Sequence, residues 1–294
     1  MESTTTTIET CANCGKEGGD SLKACTACFM VKYCNRDCQI AHRKQHKKEC
    51  KKRAAELHDE KLFEEVENED CPICFLPLPL DIGHTQFQSC CGKIICAGCV
   101  YAIKISEGKD LCAFCRIPPP RSHEEDHERL KKHIKSGNAE AFSQLSGYYA
   151  RGTDGMPQDR QKANELCIKA GELGCANAYY NLGVNYDTGT GVEIDKKRAI
   201  HYFELAAMMG HVWARHNLGC LEGFNYDRAK KHFAVAARAG YKESLDAIKQ
   251  MFMNELVTKD EYAHILRAYH ERQKEMKSDA REKAAMLIDR QEMI

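Results

Sequence analysis

The sequence predicts a multi-domain chain in which two small cysteine-rich modules precede an all-α repeat solenoid. Three observations carry this reading. Closely spaced cysteines crowd residues 11–50, a second group of four cysteine pairs occupies 71–116, and from residue 138 a helical unit recurs three times. The chain has 294 residues, enough for two or three modules of ordinary size.

The first module reads C-x2-C-x10-C-x2-C-x5-C-x3-C-x7-H-x3-C, so Cys11, Cys14, Cys25, Cys28, Cys34, Cys38, His46 and Cys50 form four pairs. Thiolates and an imidazole are the donors that zinc prefers, and eight of them close two tetrahedral sites with no open position. Closed sites hold structural ions. His42 is the rival imidazole, but His46 stands four residues before Cys50 and shares a helix face with it.

The tail CNRDCQIAHRKQHKKEC, with Tyr33 before the fifth cysteine, resembles the MYND zinc finger. That resemblance implies interleaved binding: Cys11, Cys14, Cys34 and Cys38 on one ion, Cys25, Cys28, His46 and Cys50 on the other. Arg43 stands where the family often has Trp. The resemblance also implies that the finger binds short proline-containing peptides.

The second module places Cys71, Cys74, Cys90, Cys91, Cys96, Cys99, Cys112 and Cys115 in four further pairs. Its CPIC opening, CCGKIICAGC middle and CAFCR close resemble an all-cysteine RING finger, with Lys93 where most RING fingers carry histidine. The resemblance implies Cys71, Cys74, Cys96 and Cys99 on one zinc and Cys90, Cys91, Cys112 and Cys115 on another. Adjacent Cys90 and Cys91 reach one ion only if the backbone kinks, which Gly92 permits; His84 in place of one of them is the alternative. Sixteen ligands in four sets imply about four zinc ions.

Residues 51–70 carry a basic run (Lys51, Lys52, Arg53) followed by an acidic one, and are expected to form a charged helical linker. The basic run has no interleaved aromatics for base stacking, and the net charge is zero, so nucleic acid is disfavoured as a partner. No apolar stretch reads as a signal peptide or a membrane span, which places the chain in the cytoplasm or nucleus. Of the eighteen cysteines, fifteen are expected to be reduced metal ligands rather than disulfide partners.

After Pro118, Pro119 and Pro120 end any helix, residues 117–137 are expected to be a linker. Repeats then cover 138–248, with copies at 138–174, 175–210 and 211–240; the third is short because its central loop is shortened. The register is set by Ala139, Ala176 and Val212, by Leu145, Leu182 and Leu218, by Ala163, Ala199 and Ala229, and by Gly174, Gly210 and Gly240. Each copy holds two helical segments and ends in Gly, where a helix terminus needs left-handed geometry. With GTGVEIDKKRA as their most typical stretch, the copies resemble Sel-one-like repeats, relatives of the tetratricopeptide repeat, which stack as a right-handed α-solenoid. Cys167, Cys175 and Cys220 are expected to be small packing residues inside these helices.

Residues 241–294 should form a helical cap and tail. A stripe of Leu266, Tyr269, Met276, Ala280 and Leu287 predicts a helix lying on the solenoid from Val257 onward. The CCGK-type finger, the repeats and the VTKDEYAHILRAY ending together resemble RING-like and Sel-one-like repeat proteins of diatoms and related stramenopiles, a resemblance that implies no established activity.

Two functions follow from the resemblances. A RING finger holds a ubiquitin-loaded conjugating enzyme and does no chemistry of its own, which implies contacts from Ile73 and Arg116 and no catalytic residue. Ala113 replaces the proline usual in the last cysteine pair. The alternative is a non-enzymatic scaffold whose finger and solenoid bind proteins. A chromatin-associated regulator ranks third, since no recognition-helix pattern is present.

Overall fold

The computed structural model describes residues 9–18, 21–66, 69–153 and 155–289. It divides into two compact units, Met1–Glu64 and Glu65–Ile294.

The first unit pairs β1 (Lys23–Ala24) antiparallel with β2 (Lys32–Tyr33) and continues into helix α1 (Arg36–Leu62). Asn35 starts the helix by accepting a hydrogen bond from the Cys38 amide at 2.8 Å. The expected helical linker at 51–70 is helical as far as Leu62, but as a continuation of α1 rather than a separate element, because nothing between Cys50 and Leu62 stops a helix; Arg53 there pairs with Glu56 and Glu60.

In the second unit, β3 (Thr85–Gln88) and β4 (Lys93–Cys96) form an antiparallel hairpin followed by helix α2 (Ala97–Glu107). Helix α3 (His123–Lys135) comes next, where the sequence reading has a linker. The physical reason is local. Ser122 caps the helix by accepting from the Glu125 amide, Glu124, Glu125 and Asp126 fill the first turn, and Lys132, His133 and Lys135 fill the last, a charge order that suits the helix dipole. Its Leu130 is buried, and α3 packs on the first repeat helix.

The repeats are the helix pairs α4 (Ala139–Arg151) with α5 (Arg160–Glu172), α6 (Ala176–Thr188) with α7 (Lys196–Met208), and α8 (Val212–Leu221) with α9 (Tyr226–Arg238). Each pair packs internally and against the next. Leu182, Leu218, Ala163, Ala199 and Ala229 are buried as the register requires, while Leu145 is half-buried. Gly174, Gly210 and Gly240 have φ of 106°, 87° and 100°, and the amide that follows each returns to the helix (Cys175 to Ala170 O, His211 to Ala206 O, Tyr241 to Ala236 O).

Small residues within the pairs let helices meet. A Cβ on Gly183 would lie 2.5 Å from the Phe203 ring, and one on Gly219 would lie 2.6 Å from Phe233. Gly183→Ala should therefore cost about 1–3 kcal/mol by overpacking, read as a lower melting temperature by circular dichroism.

Two expectations about the later helices need correction. Cys220 is exposed at the end of α8, with its Sγ 3.6 Å from His216 Nε2, whereas Cys167 and Cys175 are buried. Helix α10 (Lys242–Met253) packs with α9, and the single helix expected from Val257 onward is two, since Ser278 caps a new one: α11 (Lys259–Glu275) packs with α9, but α12 (Asp279–Asp289) packs on α2 instead. Leu266 and Tyr269 lie on the solenoid core as predicted.

Candidate metal centres

Four of the cysteine pairs share one backbone device. The residue after each C-x2-C turns into the left-handed region, with φ of 73° at Gly15, 57° at Phe29, 56° at Phe75 and 66° at Arg116. Its amide donates back to the carbonyl of the first cysteine at 2.9–3.0 Å. The turn aims neighbouring amides at the first thiol. The amides of Cys14 and Cys34 hold the Cys11 thiol down to about 6; at Cys25 and Cys71 burial opposes this, yet amide bonds still bring them to about 6 and 7.

Four groups of four ligands result, each with its ligand atoms within 4.8 Å of one another. The first brings together Cys11, Cys14, Cys34 and Cys38, and the second Cys25, Cys28, His46 and Cys50. Cys14 and Cys34 are 3.6 Å apart, Cys34 and Cys38 3.5 Å, Cys25 and Cys50 3.7 Å, and His46 Nε2 lies 3.1 Å from Cys28 Sγ. His42 instead meets the Tyr33 hydroxyl at 3.1 Å. All eight first-module candidates are thus brought into sets.

The third group is Cys71, Cys74, Cys96 and Cys99, and the fourth Cys90, Cys91, Cys112 and Cys115. Sulfur separations of 3.8 Å (Cys71–Cys99 and Cys74–Cys96), 3.9 Å (Cys91–Cys112) and 3.3 Å (Cys90–Cys115) span the third and fourth sets. Cys90 and Cys91 converge because the hairpin turns tightly there: the Cys91 and Gly92 amides both donate to Gln88 O, and Gly92 has φ of 68°. His84 lies outside the set, near Asp81.

The separations fit zinc. Four sulfurs at about 2.3 Å from one ion stand about 3.8 Å apart, and each set offers four thiolate or imidazole donors with no position left over. Four closed sets agree with about four zinc ions. Among thiols pressed this closely, burial and neighbouring sulfurs push Cys50 and Cys91 up to about 11, so a cation is what lets all of them ionise.

Residues 11–50 match the MYND finger family, and residues 140–175, 176–211 and 214–241 match the Sel1 repeat family. The chain carries a MYND finger and Sel1 repeats. The second zinc module falls between the matched stretches, so its RING resemblance rests on cysteine spacing. Over 92 residues the chain is 30% identical to "Uncharacterized protein NMB1327" of Neisseria meningitidis serogroup B (strain ATCC BAA-335 / MC58), a stretch covering 31% of this chain and 19% of that protein. The chain thus spans about a fifth of that relative's length. A Sel1 repeat protein from Oxalobacter formigenes superposes with a TM-score of 0.46 and 22% identity, covering 59% of this chain and 70% of that one. The protective antigen c5321 of uropathogenic Escherichia coli, which displays an SLR fold, gives 0.46 and 25%, covering 53% and 34%.

MYND fingers and Sel1 repeats are, as families, generally protein-interaction modules. Among the described residues no helix is long and apolar enough to cross a membrane. Ile73 packs partly into the core of the second zinc module, and Arg116 is ion-paired with Glu107. Phe75 and Phe114 stand exposed beside the metal ligands. Sequence reasoning missed Arg281 of α12, which donates to Cys74 Sγ at 3.4 Å. No local motif marks it, because its partner lies 207 residues away.

Proposed function

We propose that the chain is a zinc-stabilised adaptor whose MYND finger takes short proline-containing peptides and whose Sel1 array takes a second protein. The observation that carries this reading is the closure of every metal set: four protein ligands around each ion leave no coordination position for a substrate or an activated water. The ions then serve folding, and the chemistry offered to partners is surface. The Sel1 helices offer that surface on a rigid frame.

A second reading, a RING-type ubiquitin ligase, is favoured by one observation, the interleaving of the third and fourth sets around α2. Ile73 would be the apolar contact for the conjugating enzyme and Arg116 the cation bridging it to ubiquitin. Ubiquitin discharge from a panel of loaded conjugating enzymes separates the two. The adaptor reading expects no acceleration by the zinc-loaded protein with any of them. Acceleration that Ile73→Ala abolishes and Arg116→Ala slows, both at unchanged zinc content, would establish the ligase.

A further inference from the structure

Helix α12 ends up on the second zinc module, and the residue that meets the metal set is a buried cation. Arg281 is 9% exposed. One end of its guanidinium donates to Pro77 O at 2.7 Å and to Met276 O at 2.8 Å; the other donates to Leu76 O at 3.2 Å and to Cys74 Sγ at 3.4 Å. Leu76 O is also the acceptor for the Cys71 amide, at 2.9 Å, so Arg281 grips the turn that carries the first two ligands of the third set. The helix backbone is equally close: a Cβ on Gly98 would lie 2.7–2.9 Å from Arg281 Cγ, N and Cα. Gly98 sits between ligands Cys96 and Cys99, both buried.

Four thiolates around one zinc ion leave two net negative charges, and burying them is costly without a nearby cation or hydrogen-bond donors. Arg281 supplies both from outside the module. We propose that α12 is a zinc-dependent latch, with Arg281 as the positioning cation of the third set, so that metal retention there and docking of residues 279–289 are one linked event. Linkage makes the effect reciprocal. Weakening the latch loosens the ion, and losing the ion frees the helix, which uncovers the Ala97–Gly98 face of α2. The proposal rests on zinc occupying the third set.

The test uses the full chain, zinc release to a chromogenic chelator, and amide hydrogen exchange of residues 279–289. Arg281→Met keeps length and apolar packing but removes the charge. One ion of the four should then leave about 10–100-fold faster, with α12 losing protection, and Arg281→Lys should recover part of both. Gly98→Ala, which pushes the helix backbone away and leaves every ligand in place, should loosen the same ion. In the other direction, Cys74→Ser should expose α12 to exchange, while Cys14→Ser in the MYND finger should not. Parental release rates in Arg281→Met, or a protected α12 in Cys74→Ser that has lost one zinc, would overturn the latch. A parent protein without zinc in the third set would instead overturn the metal reading on which it rests.

Discussion

Leu182→Asp should unfold the Sel1 array. Leu182 is completely buried in a cluster with Phe142, Cys167, Ala170, Cys175 and Ala178, which joins the first repeat to the second. A carboxylate placed among these apolar side chains and small thiols is stripped of water, and the packing of the isobutyl group is lost as well. Such a change belongs among the largest single-residue effects, about 4 kcal/mol or more. For a body of this size that lowers the melting temperature by roughly 10 °C or more. A variant that melts with its parent would show the repeat register to be wrong.

Zinc removal should have the other large effect. Metal analysis of the purified chain should find about four ions, and stripping them should unfold both cysteine-rich modules, since each structural zinc contributes on the order of 10 kcal/mol to folding. The solenoid responds more subtly. The helix pairs α4 to α11 bury their cores against one another, so a fragment from Glu124 to Ile294 should keep its repeats and ignore chelator. In the full chain chelator should also release α12, because its partner α2 belongs to the zinc module. Helical circular dichroism and hydrogen exchange, compared between fragment and full chain, measure that difference. Two ions instead of four would remove the second module's metal sets.

The modules and repeats were legible because their signals are local. Cysteine pairs at fixed spacing, a leucine recurring at 145, 182 and 218 and a closing Gly each act within a few residues, and zinc, the repeat core or a helix terminus enforces them. The choice of His46 over His42 was legible for the same reason, as a four-residue step to Cys50. What escaped has two causes. The α3 helix follows directly on three prolines that mask it, although its Ser122 cap and graded charges are local signals in the sequence. The docking of α12 on α2 was not readable at all, because Arg281 looks like an ordinary charge on a polar helix until Cys74 is placed beside it. Cys220 departs from the packing expectation because it is the penultimate residue of α8, where it is exposed.

The way the second zinc module holds the array bears on how many repeats it tolerates. A free solenoid can gain or lose a unit by internal duplication, since each unit sees only its neighbours. Here the module grips the array at both ends: Asn138, just before α4, donates to Gly92 O at 3.1 Å, while Arg281, just after α11, reaches Cys74. Between those points Glu65 pairs with Arg238, and Val66 lies against Gly210. The module therefore acts as a gauge block whose span matches three helix pairs and a cap. One inserted unit should then carry the last helix past its seat, which hydrogen exchange of residues 279–289 in such a variant would read as lost protection.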